Sequence, residues 1–373
     1  MSKFFLVLYS IFAVLFVIFS YLFVDTNLIY LKFLYTGFAL SQRLVVSCLY
    51  ILLILFFFSF YIYFLITGRK KGVTRNMFVA TLLLSVIFIL SYPAIVSYDI
   101  FNYLATAKVT FHFGENPYLV MPNEFIGDPM LLFTRAANKY ALYGPVWIML
   151  TGVPYMASLQ DVVLQMFLFK VFVALFYFGL IYLMYKFTKS YYAVAFFALN
   201  PLVLLETFVS GHNDVVMMFF ALFSFYLLKV NKKTASGILL VLSVLVKFAT
   251  IVLLPVWIYM VFLKYKQRDI NYDKMFSVCA FLLFVVLLLA PIREEIYPWY
   301  FIWVLSFVTL LKKKAFIKIL CIIFSCGLLL SYVPYMYFGE YYILLKLVFI
   351  IVIPVIVTGI CLLPSRIRSV WRP

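Results

Sequence analysis

Residues Phe4 to Val24 form an unbroken apolar run without a charged side chain, and comparable runs recur along most of the chain. About twenty such residues suffice to cross the hydrocarbon core of a bilayer, where the backbone must satisfy its own hydrogen bonds. A helix does this within one segment, so a polytopic, all-α transmembrane bundle is expected. Composition agrees: 67% of the 373 residues are hydrophobic and 12% charged, against roughly a quarter charged in a soluble domain. The first run is longer than a signal-peptide core and lacks a small-residue cleavage site, so it reads as a retained first span.

Ten crossings can be drawn, at 4–24, 44–67, 77–97, 163–185, 190–208, 214–229, 275–291, 298–311, 315–332 and 342–363. Two further apolar stretches resist the pattern. The segment 143–158 is short and interrupted by Pro145 and Pro154, and 236–262 carries Lys247 near its middle with Pro255 beyond. Both are expected as re-entrant or broken segments, which a membrane tolerates where protein or a wet cavity covers the backbone. The whole of 1–373 is expected to be one transmembrane domain, with a large external loop and interfacial helices at about 98–142.

The formal charge of +17 would suggest nucleic acid in a soluble protein, but here the cations gather in short loops between spans. With the spans above, 21 of the 30 basic residues fall on one side and 11 of the 13 acids on or near the other. By the positive-inside rule both termini are then cytoplasmic, in a multi-pass protein of the plasma (inner) membrane. No nucleic-acid module is present. The five cysteines lie in apolar runs without metal-like spacing and read as packing residues.

The residues able to carry chemistry sit at the non-cytoplasmic ends of the spans. Asp99 ends the third span in SYDIFNY, with Asn102 and Tyr103 on its face if a helix continues. It can serve as a helix cap or, in a partly dry aromatic setting, as a general base. The stretch Ile100 to Phe113, bearing Lys108 and His112, reads as an amphipathic helix in the interface plane. Asn116-Pro117-Tyr118 is a turn signal that brings Tyr118 near the site. Tyr143-Gly144-Pro145 starts a helix whose N-terminus favours an anion such as a phosphodiester.

Glu206, His212, Asn213 and Asp214 share one outer turn, where they can relay a proton, grip sugar hydroxyls, bind a metal or simply cap the next helix. One histidine and two carboxylates make a weak metal signal. Lys247 lies deep in an apolar run and calls for a lipid phosphate or a carboxylate, whereas Lys170 and Lys346 are close enough to span ends to snorkel. Arg293 precedes Tyr297-Pro298-Trp299-Tyr300, where Trp299 and Tyr300 are either belt aromatics or stacking surfaces for a sugar.

These pieces together resemble the GT-C class of integral-membrane glycosyltransferases, and within it the mannosyltransferase-like proteins that use polyprenyl-phosphate sugars. The matching text is SYDIFNY, GENPY with Pro122 after it, YGPVW, NPLVLLE followed by GHNDVVMM, LVKFATIVLLP and PWYFIW, in the family's order from about residue 91 to 305. The resemblance implies Asp99 as the base, an inverting transfer, a polyprenyl-phosphate sugar donor with mannose favoured, and a glycolipid or glycan acceptor within the cell envelope. Many such enzymes carry a second acid within two residues, whereas Asp99 is followed by Ile100 and Phe101. That leaves the base to Asp99 alone and gives a divalent metal, or any other cofactor, little support. A lipid-linked glycan polymerase or ligase and a secondary transporter are the competing readings.

Overall fold

The computed structural model describes residues 3–292, 295–312, 314–340 and 342–362. Among them every regular element is helical. Six helices are long and apolar enough to cross a membrane: Phe4–Phe23, Arg43–Lys71, Val162–Thr188, Phe248–Tyr265, Tyr272–Ile292 and Ala315–Phe338. Short polar residues start several of the helices by accepting a backbone N–H. Thr74 caps Arg75–Ser85, Asp161 caps Val162–Thr188, Ser190 caps Tyr191–Ala198 and Asn271 caps Tyr272–Leu289.

The remaining drawn crossings are shorter or broken; the eighth is Pro298–Val308 and the tenth Ile343–Gly359, with residue 363 outside the described residues. The third, at 77–97, is a helix over Arg75–Ser85 that tightens into a 3-10 turn at Val86–Leu90 and stops ahead of Pro93. The fifth bends by 60° between Tyr191–Ala198 and Pro201–Val209. There Asn200 accepts the Leu202 N–H and Pro201 has none to give. The sixth is the helix Asp214–Lys229. The stretch 143–158 is a single helix, Pro145–Ala157. The stretch 236–262 divides at Lys247 into Lys233–Val246 and the span-length Phe248–Tyr265.

Two expectations about surface exposure are corrected. The helix Asp99–Phe111 does not keep a wet face along most of its length: Ile100 through Ala107 are all buried. Its polar groups are satisfied inside the protein. Thr106 and Thr110 donate to the carbonyls one turn back, at 2.9 and 3.0 Å, and Lys108 pairs with Asp128 at 2.6 Å. Lys170 does not snorkel either. It is fully buried, and its ammonium donates to the carbonyls of Ile89, at 3.2 Å, and Ser91. These carbonyls end the third-span helix, where a cation is favoured.

Candidate active site

Several chain segments converge where the buried helix Asp99–Phe111 meets the turn before Asp214. Asp99 is the first residue of its helix, and its backbone N–H donates to Ser97 Oγ at 3.1 Å. Asn102, one turn on, donates from Nδ2 to Asp99 Oδ1 at 3.2 Å. Its own Oδ1 accepts the Ala136 N–H at 3.1 Å, so the loop that carries Ala136 fixes which way the amide faces Asp99.

His212 lies behind Asp99. Its Nδ1 is 3.7 Å from Asp99 Oδ2 and 3.5 Å from the Tyr103 hydroxyl, while Nε2 is 3.3 Å from Glu206 Oε2. Burial, and then the positive charge of Lys247, push the imidazole well below its ordinary range. A neutral imidazole has one N–H for the two acids beside it, and Nε2 has no hydrogen-bond partner. Its ring stacks on Trp299 at 3.9 Å, and Trp299 stacks on Tyr297 at 4.5 Å. Glu206 is fully buried, and Tyr332 donates to its Oε1 at 2.9 Å.

Next to this group, Asp214 Oδ1 accepts Lys247 Nζ at 2.9 Å and the Trp303 indole N–H at 2.5 Å. Lys247 sits over the faces of Tyr300, at 4.5 Å, and Trp303, at 5.4 Å. It reaches this place because its backbone is extended between two helices. Gly144 secures that break from the other side, donating its N–H to Val246 O at 3.2 Å. A Cβ on Gly144 would come within 2.1 Å of the Leu245 carbonyl oxygen, so the approach requires glycine.

Of the ionisable groups Asp99, Glu206, His212 and Asp214, Asp99 alone keeps real exposure, 29% of its side chain against 1% or less for the others. The cluster thus presents one carboxylate outward and holds the rest behind it. Asn213 is fully buried beside them, with no hydrogen-bond partner for either end of its amide. Among the described residues, no three imidazole, thiol or carboxylate groups are placed to hold a metal ion.

The sequence candidates Asp99, Tyr103, Glu206, His212, Asp214, Lys247, Trp299 and Tyr300 are thus brought together. Tyr143 joins them through its ring, 4.7 Å from that of Tyr103, and its carbonyl accepts the Tyr118 hydroxyl at 2.7 Å. Asn116 is exposed and accepts the Tyr118 N–H at 3.0 Å, the local turn its sequence signals. Arg293 lies outside the described residues. Sequence reading missed Trp303 and Tyr332. Trp303 is three residues after Tyr300 and so on its helical face, a spacing that could have flagged it; Tyr332 carries no such signal.

A helical bundle with membrane-length spans and a buried acid–imidazole cluster behind one outward carboxylate has the build of a multi-pass membrane enzyme. Residues 14–263 match the family described as alpha-(1->6)-mannopyranosyltransferase, N-terminal domain, and the chain belongs to that family. It is a membrane mannosyltransferase of the GT-C type, as the resemblance implied. No curated protein and no solved structure matches the chain.

Proposed function

We propose that the protein moves a mannosyl group from a polyprenyl-phosphate donor to a hydroxyl of a lipid-linked or cell-envelope acceptor, on the non-cytoplasmic face of the plasma membrane. Asp99 takes the proton from the acceptor hydroxyl. The oxygen attacks the anomeric carbon, and the bond to polyprenyl phosphate breaks with inversion. The observation that carries this reading is the outward placement of Asp99 in front of a buried, paired cluster. A single accessible carboxylate suits one displacement, whereas retention by double displacement needs a second group as nucleophile.

In this reading Asn102 and His212 aim Asp99, and Glu206 holds His212. The Lys247 ammonium spends one N–H on Asp214, and the others face the leaving phosphate together with the start of the helix Pro145–Ala157. Tyr118 and Tyr143 supply ring contacts to sugar and acceptor, while buried Tyr103 and Trp299 back His212 and Tyr300 lies under the Lys247 ammonium. The family description favours an α-1,6 linkage.

The test incubates membranes holding wild-type or Asp99→Asn protein with radiolabelled mannosyl phosphates of short polyprenols and native lipid extract. Wild type transfers label, and Asp99→Asn loses on the order of a hundredfold or more. Equal transfer by both proteins would remove Asp99 from the chemistry. Transfer from a nucleotide sugar alone would remove the lipid-linked donor.

A further inference from the structure

The helix Asp214–Lys229 begins in the candidate site and ends 15 residues later, about 22 Å away at 1.5 Å per residue. At that far end two basic turns meet. Asn231 (φ 66°) and Gln267 (φ 53°) adopt left-handed conformations that close the helices before them. The Lys232 N–H returns to Leu227 O and the Arg268 N–H to Leu263 O, both at 2.9 Å. Between the turns lies a cavity of about 580 Å³, lined by Asn231, Lys233, Lys264, Arg268, Asp269 and Tyr272 among others.

Its cations outnumber its acids, Lys233, Lys264 and Arg268 against Asp269. Lys264 Nζ donates to the Lys229 carbonyl, at 3.1 Å, and to Asn231 Oδ1, both neutral acceptors. Lys229 lies over the faces of Phe187 and Tyr272, at 5.1 and 5.8 Å. The lysine and arginine ion pairs among the described residues lie elsewhere, at Lys108–Asp128, Arg135–Asp25, Lys247–Asp214 and Lys346–Glu295. Asp269 is the single acid in the lining. Alongside, Ile258, Phe262 and Tyr265 follow one another at helical spacing and are 53%, 48% and 75% exposed. That leaves an exposed apolar strip running up to the cations.

We propose that this cavity binds the phosphate headgroup of an anionic phospholipid in the leaflet opposite Asp99, with its acyl chains along Ile258, Phe262 and Tyr265. Basic pockets between spans on the positive side recognise such headgroups through phosphate, and the volume admits one. A free phosphate ion shares the charge chemistry and makes no use of the apolar strip.

Native mass spectrometry of the full chain, supplied with equimolar phosphatidylglycerol and phosphatidylcholine, tests this. Wild type is expected to retain phosphatidylglycerol on the order of tenfold over phosphatidylcholine, and Lys233→Gln/Arg268→Gln to lose the preference. The charge-keeping pair Lys233→Arg/Arg268→Lys should retain it, which separates loss of charge from misfolding. Millimolar inorganic phosphate should leave the lipid-bound species in place. No preference in wild type, an undiminished preference in the charge-removing variant, or displacement by inorganic phosphate would each overturn the proposal.

Discussion

Replacing Lys247 by methionine should cost more stability than removing its partner's charge, because the two ends of the ion pair differ in access to water. Asp214 is wholly buried, whereas 24% of the Lys247 side chain is exposed. Without Lys247 the Asp214 carboxylate keeps only the Trp303 N–H on Oδ1, and Oδ2 has no hydrogen-bond partner. Breaking a buried pair in this way costs about 3–5 kcal/mol. With Asp214→Asn, Lys247 can turn to water, and the loss falls to about 1–2 kcal/mol. The double variant Lys247→Met/Asp214→Asn should therefore be more stable than Lys247→Met alone. At roughly 2 °C per kcal/mol, Lys247→Met should lower the unfolding midpoint by about 6–10 °C, with more than half regained in the double variant. Thermal unfolding of purified protein in one detergent, at one scan rate, measures this. If the double variant unfolds no later than Lys247→Met, an uncompensated Asp214 is not the cause and the reasoning fails.

Gly144→Ala drives a methyl group into the Leu245 carbonyl and should cost about 1–3 kcal/mol; a midpoint unchanged from wild type would show that the two segments can part freely. Tyr332→Phe removes the hydrogen bond to Glu206 Oε1 and should cost about 1.5–3 kcal/mol, less when Glu206→Gln is already present, as read by the same assay. His212 is held neutral in the folded protein and takes a proton in the unfolded chain once pH falls below about 6.5. Its contribution to stability is thus full above that pH and lost as pH falls further toward the depressed folded value, at up to about 1.4 kcal/mol per pH unit. Between pH 6.5 and 5 the wild-type midpoint should fall more steeply than that of His212→Gln, and parallel slopes would contradict a neutral buried imidazole.

The parts of this site that announced themselves in the sequence did so by cost. An acid, an imidazole or an amine inside apolar text has to be paired, and Asp99, Glu206, His212, Asp214 and Lys247 all find partners within one cluster. Trp303 and Tyr332 stayed hidden because tryptophan and tyrosine are also ordinary residues of membrane boundaries, and only geometry shows which hold an indole N–H or hydroxyl against a carboxylate. The bends at Asn200 and Lys247 were half legible. The break in 236–262 is expected from a lysine midway through an apolar run, though its place depends on the pairing of Lys247 with Asp214 and the backbone contact with Gly144; the bend at Asn200 was not expected, although Pro201 marks it. The helix after Asp99 reads as a surface helix from Lys108 and His112; His112 is exposed, but Ile100 through Ala107 are buried and Lys108 turns to Asp128.

Asp99 and the turn from Glu206 to Asp214 lie within the segment matched by the family, which ends at residue 263. The ring under His212, the indole that holds Asp214 and the hydroxyl on Glu206 come from Trp299, Trp303 and Tyr332, all made later. A chain leaving the ribosome therefore carries its acids and imidazole into the membrane well before the groups that stabilise them exist. Until the spans that carry them arrive, that end of the bundle must stay open to water or be sheltered by other proteins, so assembly of the site waits on residues beyond the matched segment.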